Sequence, residues 1–289
     1  MNSFEHTHCP VCDSNDFTVW AKSKTPARYV RCRSCGTLYA NPRSPRSVRY
    51  AWINDAFAMS KEWMDALDAR RPALSREAAL IGRYLSRGHI LDIGCSAGVF
   101  FEYFPREKWK YSGVELSPTT AEFARQTYHA DVRVGTLREA DFPDKYFDLV
   151  TLIDTICYLD DPYQDLCEVR RILREDGLLA IELPGLAYIS HRIRGLLPFF
   201  LNGHWTHVDA SSSYIFWPSP HSLTLLLKRC GFDVMDWRVI PSPAQNSITE
   251  FISRSYFKMM AFLAGRYHPF LTWSPKYIYI ARFAPRTVE

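Results

Sequence analysis

The sequence lacks the features that mark exported or membrane-spanning chains. Its 289 residues contain no basic start followed by an apolar run, and no stretch of about 18 consecutive apolar residues. It also lacks internal repeats and low-complexity tracts. These absences argue against a secretory signal and a spanning helix, and they predict a cytoplasmic globular protein.

A large excess of charge of one sign is also absent. The chain has 35 Lys and Arg against 31 Asp and Glu, a net charge of +4, which does not by itself predict nucleic-acid binding. The first fifty residues are more basic, with eight Lys and Arg against three Asp and Glu. A nucleic-acid substrate therefore stays open as an alternative. The 47% hydrophobic content is enough for a sizeable core.

Cysteine is present in a pattern that predicts a metal site. Four of the eight cysteines form two Cys-x-x-Cys pairs, and nineteen residues separate the pairs. This spacing is typical of four-cysteine zinc sites, which leave no open position for catalysis. A segment of about 40 residues cannot hold a core unaided, so metal would supply folding energy. We predict a zinc ribbon at 1–42 with the ligands Cys9, Cys12, Cys32 and Cys35.

The rest of the chain divides into a helical segment and an α/β domain. Residues 43–88 predict a helical linker or cap, helical from about Val48 to Ser86 with a break near Pro72. From residue 89 to 289 strands and helices alternate, which predicts a doubly wound sheet. The insertions 185–218 and 245–275 are expected over its ligand cleft. The aromatic, basic stretch 251–273 favours a lid or subunit interface, with peripheral membrane contact as the alternative.

Turn and capping residues predict the element boundaries of this domain. Helices are expected from Ala97 to near Pro105, from Pro162 to Arg174, and after the capping pairs Ser117-Pro118 and Ser219-Pro220. The turn Glu175-Asp176-Gly177 is expected to separate the second of these helices from a strand at 178–183.

A glycine turn between two predicted strands indicates a nucleotide site. Gly94 and Gly98 do not fit the Gly-x-Gly-x-x-Gly pattern of dinucleotide binders. Asp92, two residues before Gly94, would repel a pyrophosphate but suits a ligand with an ammonium group. Glu115 ends the next strand, where a carboxylate accepts two ribose hydroxyls. The pattern favours an adenosine joined to an amino acid.

These stretches resemble a known enzyme family. Leu91-Asp92-Ile93-Gly94-Cys95-Ser96-Ala97-Gly98 looks like motif I of the class I S-adenosylmethionine-dependent methyltransferases. Four further motifs follow in order, at 114–118, 147–150, 173–179 and 221–232. The resemblance implies S-adenosylmethionine as cofactor and an α/β, Rossmann-like seven-stranded sheet whose last strand is antiparallel. The cysteine pairs resemble a bacterial branch with an N-terminal zinc ribbon, in which several members act on sugars or small metabolites.

The resemblance also implies roles for individual residues. The first motif would hold the methionine and ribose parts, the end of the second strand the ribose hydroxyls, the turn at 135–137 the adenine edge, and the end of the fourth strand the methyl-donating end. The implied cofactor residues are Asp92, Gly94, Cys95, Ser96, Gly98, Glu115, Leu116, Thr136, Leu137, Ile153 and Asp154.

The predicted reaction is O-methylation of a sugar or related metabolite in polysaccharide or natural-product biosynthesis. A base is needed to deprotonate a hydroxyl, and histidine titrates in the right range. The catalytic candidates are His207, His204 and Tyr158, while Asp154 and His221 are weaker candidates for the base. The alternative is an RNA methyltransferase that grips its substrate with the basic ribbon. The sequence assigns neither the acceptor nor the oligomeric state.

Overall fold

A computed structural model describes residues 3–22, 25–51, 59–185, 205–206, 214–240 and 276–284. The predicted insertion 245–275 and the candidates His204 and His207 lie outside these residues. The strands are β1 (Phe17–Lys22), β2 (Arg28–Cys32), β3 (Leu38–Ala40), β4 (Gly88–Ile93), β5 (Trp109–Glu115), β6 (Asp131–Val134), β7 (Phe147–Ile153), β8 (Leu173–Pro184), β9 (Trp205–Thr206), β10 (Phe216–Trp217), β11 (Phe232–Ile240) and β12 (Lys276–Phe283). The α-helices are α1 (Arg46–Arg49), α2 (Lys61–Ile81), α3 (Pro118–Tyr128), α4 (Pro162–Ile172) and α5 (Pro220–Arg229).

The larger sheet has seven strands in the order β11-β12-β8-β7-β4-β5-β6. β4 to β8 pair in parallel, and β12 runs antiparallel to both β8 and β11. The Rossmann-like α/β sheet with an antiparallel last strand is therefore confirmed. Because the order reverses between β4 and β7, their carboxyl ends open a crevice, the usual ligand position in such sheets.

Helices cover both faces of this sheet. Buried residues of α2 and α3 share one apolar cluster with alternate residues of the strands, including Leu74, Ile81, Ala124 and Ile278. Buried residues of α4 and α5 share the other cluster with the first forty residues. The N-terminal segment therefore has no separate core, and its apolar residues continue into the core of the large sheet.

The predicted helix break at Pro72 is wrong. Pro72 lies inside α2, which runs unbroken over 21 residues and begins at the cap Ser60, whose hydroxyl accepts from the Trp63 amide at 3.2 Å. An internal proline costs about 3 kcal/mol through one lost hydrogen bond and a clash. Burial of Leu74, Ala78 and Ile81 further along the helix offsets that cost.

Two other boundaries differ from expectation. The helix predicted from Ala97 is instead a short 3₁₀ helix, Val99–Tyr103. It begins only after Gly98, because Gly98 has a left-handed φ of 78°. α4 ends at Ile172, and β8 already begins at Leu173. Phe147 pairs with Leu173 and Leu149 with Leu178, so the predicted turn 175–177 bulges within the strand.

The N-terminal segment forms a second sheet with help from later parts of the chain. β1, β2 and β3 form an antiparallel meander, as expected for a ribbon. β10 then pairs antiparallel with β3, and β9 pairs parallel with β1, giving the order β10-β3-β2-β1-β9. The predicted insertion 185–218 thus supplies two strands to the ribbon. The domain boundaries 1–42, 43–88 and 89–289 remain a prediction.

Charged residues fasten the segment after the ribbon to the large sheet. The fully buried Arg49 side chain donates to Asp160 at 2.5 Å, and Arg43 donates to the Asp160 carbonyl at 3.1 Å. The Tyr50 hydroxyl donates to the carbonyl of Tyr158 at 2.7 Å. Asp160 and Tyr158 both lie in the loop that follows β7.

Within the described ranges, no helix is long and apolar enough to cross a bilayer.

Candidate active site and four-cysteine centre

The glycine turn after β4 has the tight geometry that the sequence predicts. Gly94 and Gly98 have φ angles of 72° and 78°, and Ser96 between them has 54°. A Cβ at Gly94 would lie 2.6 Å from the Thr155 hydroxyl oxygen, so a side chain has no room there. The Gly94 amide donates to the carbonyl of Val114 at 2.7 Å, which ties the turn to the end of β5. Glycine is therefore required at position 94 both by the positive φ and by the close packing against Thr155.

Glu115 links the glycine turn to the start of α3. One carboxylate oxygen accepts from the Ser96 amide and the other from the Ser117 amide, each at 2.9 Å. The side chain is buried, with 7% of the residue exposed. Each oxygen keeps a second lone pair for another donor. Glu115 can therefore accept two vicinal hydroxyls while its own orientation stays fixed.

Asp92 is a buried carboxylate at the end of β4. It is 3% exposed, and its Oδ1 accepts from the Thr151 hydroxyl at 2.6 Å. Burial raises the pKa of Asp92 from 3.8 to about 7, while the Thr151 hydrogen bond and the charge of Arg70 lower it. A buried carboxylate with so little compensation is suited to a ligand ammonium group.

The pKa of Asp92 predicts a pH dependence of cofactor binding. Folding raises this pKa, so the folded chain keeps a proton that the unfolded chain loses, and stability falls as pH rises from about 4 to about 7. A ligand ammonium binds the ionised form. We expect the affinity for S-adenosylhomocysteine to rise about tenfold between pH 6 and pH 8, measured by isothermal titration calorimetry.

Two variants control the pH prediction. Asp92→Asn should bind more weakly with a flat pH profile, because no proton is released at this position. Thr151→Val removes the hydroxyl that stabilises the ionised form, so its midpoint should move to higher pH. A tenfold rise that persists in Asp92→Asn would assign the pH dependence to another group.

Four other predicted cofactor residues follow the carboxyl ends of the neighbouring parallel strands β4, β5 and β6. Cys95 is buried, and its Sγ would be 2.6 Å from a Cβ built on Gly113 in β5. Leu116 is half-buried and Leu137 fully buried. Thr136 is bound through its amide and hydroxyl to Glu139 at 2.8 and 2.7 Å, so Glu139 brings a carboxylate to the turn after β6.

An ionic cluster lies beyond the end of β7. Asp154 has a left-handed φ of 57°, and its amide donates to the Glu182 carbonyl at 3.0 Å. Its carboxylate lies 3.5 Å from Arg70 of α2 and 3.8 Å from Lys276, and Lys276 lies 2.6 Å from Glu182. Glu77, also on α2, is fully buried beside them. We call these five residues the ionic cluster; Ile153, also predicted, is buried next to it.

Two carboxyl groups of the ionic cluster, Glu77 and Glu182, have raised pKa values. Burial raises the pKa of Glu77 to about 8, and the charge of Glu182 adds to this. Burial likewise raises the pKa of Glu182, opposed by Lys276. A left-handed non-glycine residue and buried titratable groups at the crevice are typical of functional sites.

The sequence analysis predicts only one residue of the ionic cluster, Asp154, as a site residue. Glu182 had a visible signal, since a carboxylate interrupts the apolar run Leu178–Leu183 of a buried strand. Arg70 and Lys276 had none, because a cation on a helix or at a strand end is normally solvated. Thr151 gave no signal either, because threonine is common among the β-branched residues of a strand and packing alone explains its presence.

The catalytic candidates within the described residues are differently placed. Tyr158 lies in a 3₁₀ helix, Ile156–Tyr158, and its ring packs on Tyr214 at 4.6 Å. The Tyr214 hydroxyl donates to Asp154 Oδ1 at 3.2 Å. His221 is exposed on the first turn of α5. Asp154 and Tyr214 are therefore in contact beside the crevice, and none of the contacts described for them involves His221.

The four cysteines of the ribbon come together as the spacing predicts. All four Sγ atoms lie within 4.8 Å of one another, and the pairs Cys9–Cys35 and Cys12–Cys32 are 3.5 Å apart. Tetrahedral zinc at about 2.3 Å from each sulfur requires about 3.8 Å between sulfurs. The hydrogen bond between Cys9 and Cys35 lowers the pKa of Cys35 to about 5 and raises the pKa of Cys9. The donor set therefore fits a zinc ion, which remains a proposal.

Comparison with known proteins agrees with this geometry. Residues 91–181 match the profile of a family described as a methyltransferase domain. A probable S-adenosylmethionine-dependent methyltransferase of Mycolicibacterium smegmatis is 28% identical over 149 residues, covering 51% of this chain and 52% of that protein. This chain thus spans about half the length of that relative. The ubiquinone biosynthesis O-methyltransferase of Xanthomonas campestris is 24% identical and covers 48% of this chain and 63% of its own length.

Solved structures show the same fold. A Thermotoga maritima protein described as an S-adenosylmethionine-dependent methyltransferase, possible histamine N-methyltransferase, superposes with a TM-score of 0.52 at 20% identity. The match covers 82% of this chain and 99% of the other. At this identity the likeness concerns the fold alone. The profile match identifies residues 91–181 as a methyltransferase domain, similar in sequence to relatives named as S-adenosylmethionine-dependent methyltransferases and similar in fold to the solved structure.

Proposed function

We propose that the protein transfers a methyl group from S-adenosylmethionine to a hydroxyl of a small molecule, with a sugar or related metabolite as the acceptor. One observation carries the proposal: a buried Asp92 and a fixed Glu115 flank a glycine turn in which a Cβ would not fit. This arrangement has a carboxylate for an ammonium group, another for a ribose, and a tight turn that sets the distance between them.

Three residues of the chain, Asp92, Glu115 and Asp154, would have different roles in the reaction. Bound S-adenosylmethionine supplies a methyl group that is already activated. Asp92 would hold the ammonium group and Glu115 the ribose hydroxyls, which fixes the position of the methyl-donating end near Asp154. Asp154 would orient the acceptor hydroxyl and take its proton as the oxygen gains the methyl group. Positioning of this kind supplies a large part of the rate in such displacements.

The composition of the site supports a small hydroxyl acceptor. Within the ionic cluster, the partly exposed side chains of Arg70 and Asp154 offer a guanidinium and a carboxylate that can bind hydroxyl groups, as a sugar requires. The Xanthomonas relative is named as an O-methyltransferase. The RNA alternative would use the exposed ribbon arginines Arg28, Arg31 and Arg33. Arg43 and Arg49, which follow the ribbon, are bound to Asp160 and would add little to phosphate binding. A structural zinc at the four cysteines belongs to the same proposal.

A methyl-transfer screen tests this function. Purified protein with radiolabelled S-adenosylmethionine would be offered nucleotide sugars, free glycosides, small phenols and bulk RNA. We expect label in a sugar or another hydroxyl compound, and none after Asp92→Ala. Label in RNA with steeply salt-dependent binding would favour the alternative instead. Protein that neither binds S-adenosylhomocysteine nor transfers label would contradict the proposal.

A further inference from the structure

The ribbon reaches the proposed acceptor side of the site through one segment, residues 214–217. β10 pairs with β3 of the ribbon, Phe216 opposite Tyr39. The Ala40 amide donates to the Ile215 carbonyl at 2.8 Å, and the Ile215 amide donates to the Cys157 carbonyl at 2.9 Å. Residue 215 is thereby bonded on one side to the ribbon and on the other to the loop that follows β7.

Side chains of the ribbon add to this backbone link. The Tyr29 hydroxyl donates to the carbonyl of Tyr214 at 3.2 Å, and its ring meets that of Trp217 edge-on at 4.8 Å. Tyr29 lies in β2, whose last residue is the cysteine Cys32, and β3 begins three residues after Cys35. Closing the four-cysteine centre therefore fixes the two strands that hold residues 214–217.

The same segment ends in a contact with the proposed reaction centre. Tyr214 is 8% exposed, and its hydroxyl donates to Asp154 Oδ1 at 3.2 Å. The ring of Tyr214 packs on the ring of Tyr158, with 4.6 Å between the ring centroids. Tyr158 lies in the loop after β7, as Asp154 does. Asp154 also faces Arg70 and Lys276, so the hydroxyl of Tyr214 helps to select one orientation of a carboxylate with several partners.

We propose that Tyr214 is a positioning residue for Asp154, and that the four-cysteine ribbon holds Tyr214 in place. The inference rests on the proposed methyl transfer, in which Asp154 receives the acceptor proton. The ribbon then affects turnover of the acceptor through Tyr29, Tyr214 and Asp154. It does not affect cofactor affinity, because Asp92 and Glu115 have no hydrogen bond or ion pair with a ribbon residue among the described contacts.

Tyr214→Phe tests the first half of the proposal. We expect kcat to fall about tenfold, the value of one hydrogen bond, with an unchanged dissociation constant for S-adenosylhomocysteine. In an Asp154→Asn background the same substitution should cause no further loss. Tyr84→Phe is a matched control, because Tyr84 also donates to an aspartate, Asp236 at 2.9 Å, far from the crevice. Additive losses, or a weaker cofactor affinity, would overturn the positioning role.

Hydrogen exchange tests the second half without any activity. Metal would be removed with a chelator in the presence of S-adenosylhomocysteine, and Tyr29→Phe would be compared with the wild-type chain. We expect faster exchange at 38–40 and 214–217 after chelation, and a smaller increase at 214–217 in Tyr29→Phe, with β4 and β5 unchanged. Unchanged exchange at 214–217 would refute the link, and so would simultaneous loss of protection in β4. If no acceptor is found, the proposed reaction fails while this exchange result still stands.

Discussion

Replacement of Glu115 by alanine is expected to weaken S-adenosylhomocysteine binding by about a hundredfold. Hydrogen bonds to a charged group contribute about 1.5–3 kcal/mol each, so two lost ribose bonds give at least this factor. The variant also frees the amides of Ser96 and Ser117, which Glu115 now holds at 2.9 Å. The glycine turn and the start of α3 lose their common acceptor, and the binding surface is less organised before the ligand arrives.

Calorimetry with two companion variants separates these effects. Glu115→Gln keeps one acceptor oxygen and should bind between the wild type and Glu115→Ala. Asp161→Ala is the matched control, because Asp161 also accepts from a backbone amide, that of Gln164 at 3.1 Å, but at the start of α4. It should lower stability by about 1 kcal/mol and leave the dissociation constant unchanged. Equal binding by Glu115→Ala and wild-type protein would refute the assignment of the ribose site.

Replacement of Cys32 by serine is expected to abolish zinc binding and to unfold the ribbon. A zinc site with four thiolates contributes about 10–16 kcal/mol of folding free energy in small zinc domains, far more than any single contact of this segment. Cys32 ends β2, and its amide donates to the Thr37 carbonyl at 2.9 Å within the second cysteine knuckle. Loss of this ligand removes both a thiolate and the closure of the β2–β3 hairpin.

Metal analysis and thiol titration measure the outcome. Wild-type protein should contain one zinc ion per chain, with four thiols that react only after chelation. Cys32→Ser should contain none, and its β2 and β3 amides should exchange rapidly. Cys167→Ser is the control, since Cys167 is a half-buried cysteine outside the four-cysteine cluster. Wild-type protein that is purified under reducing conditions without metal, yet keeps β2 and β3 protected, would show that the ribbon folds by packing alone.

The sequence was sufficient for the elements that local signals define. The helix start at Ser117-Pro118 agrees with the structure to the residue, because a serine cap followed by proline is a local signal. Gly94 and Gly98 adopt the positive φ angles that a tight turn needs. The antiparallel last strand came from the family resemblance, since no periodicity in the chain distinguishes its direction.

The parts that the sequence could not supply depend on distant contacts. β10 has two residues, too few for a period, and its partner β3 precedes it by more than 170 positions. α2 continues through Pro72 because packing beyond it outweighs the local penalty. Arg70, Glu77 and Lys276 are ordinary surface residues by composition. The packing of α2 brings Arg70 and Glu77 to Asp154, and the pairing of β12 with β8 brings Lys276 there. Neither long-range contact has a local sequence signal.

The pairing of β10 with β3 also has a consequence for folding during synthesis, because the two strands are made at different times. The four thiols of the ribbon are all present once residue 35 is made, whereas Phe216 follows Tyr39, its partner in β3, by 177 residues. At about 5–20 residues per second this interval lasts about 10–35 s. During that time the nascent hairpin could bind the proposed zinc ion while its β3 edge still lacks β10. Early metal capture would therefore present a preformed template on which the late-emerging segment 214–217 docks.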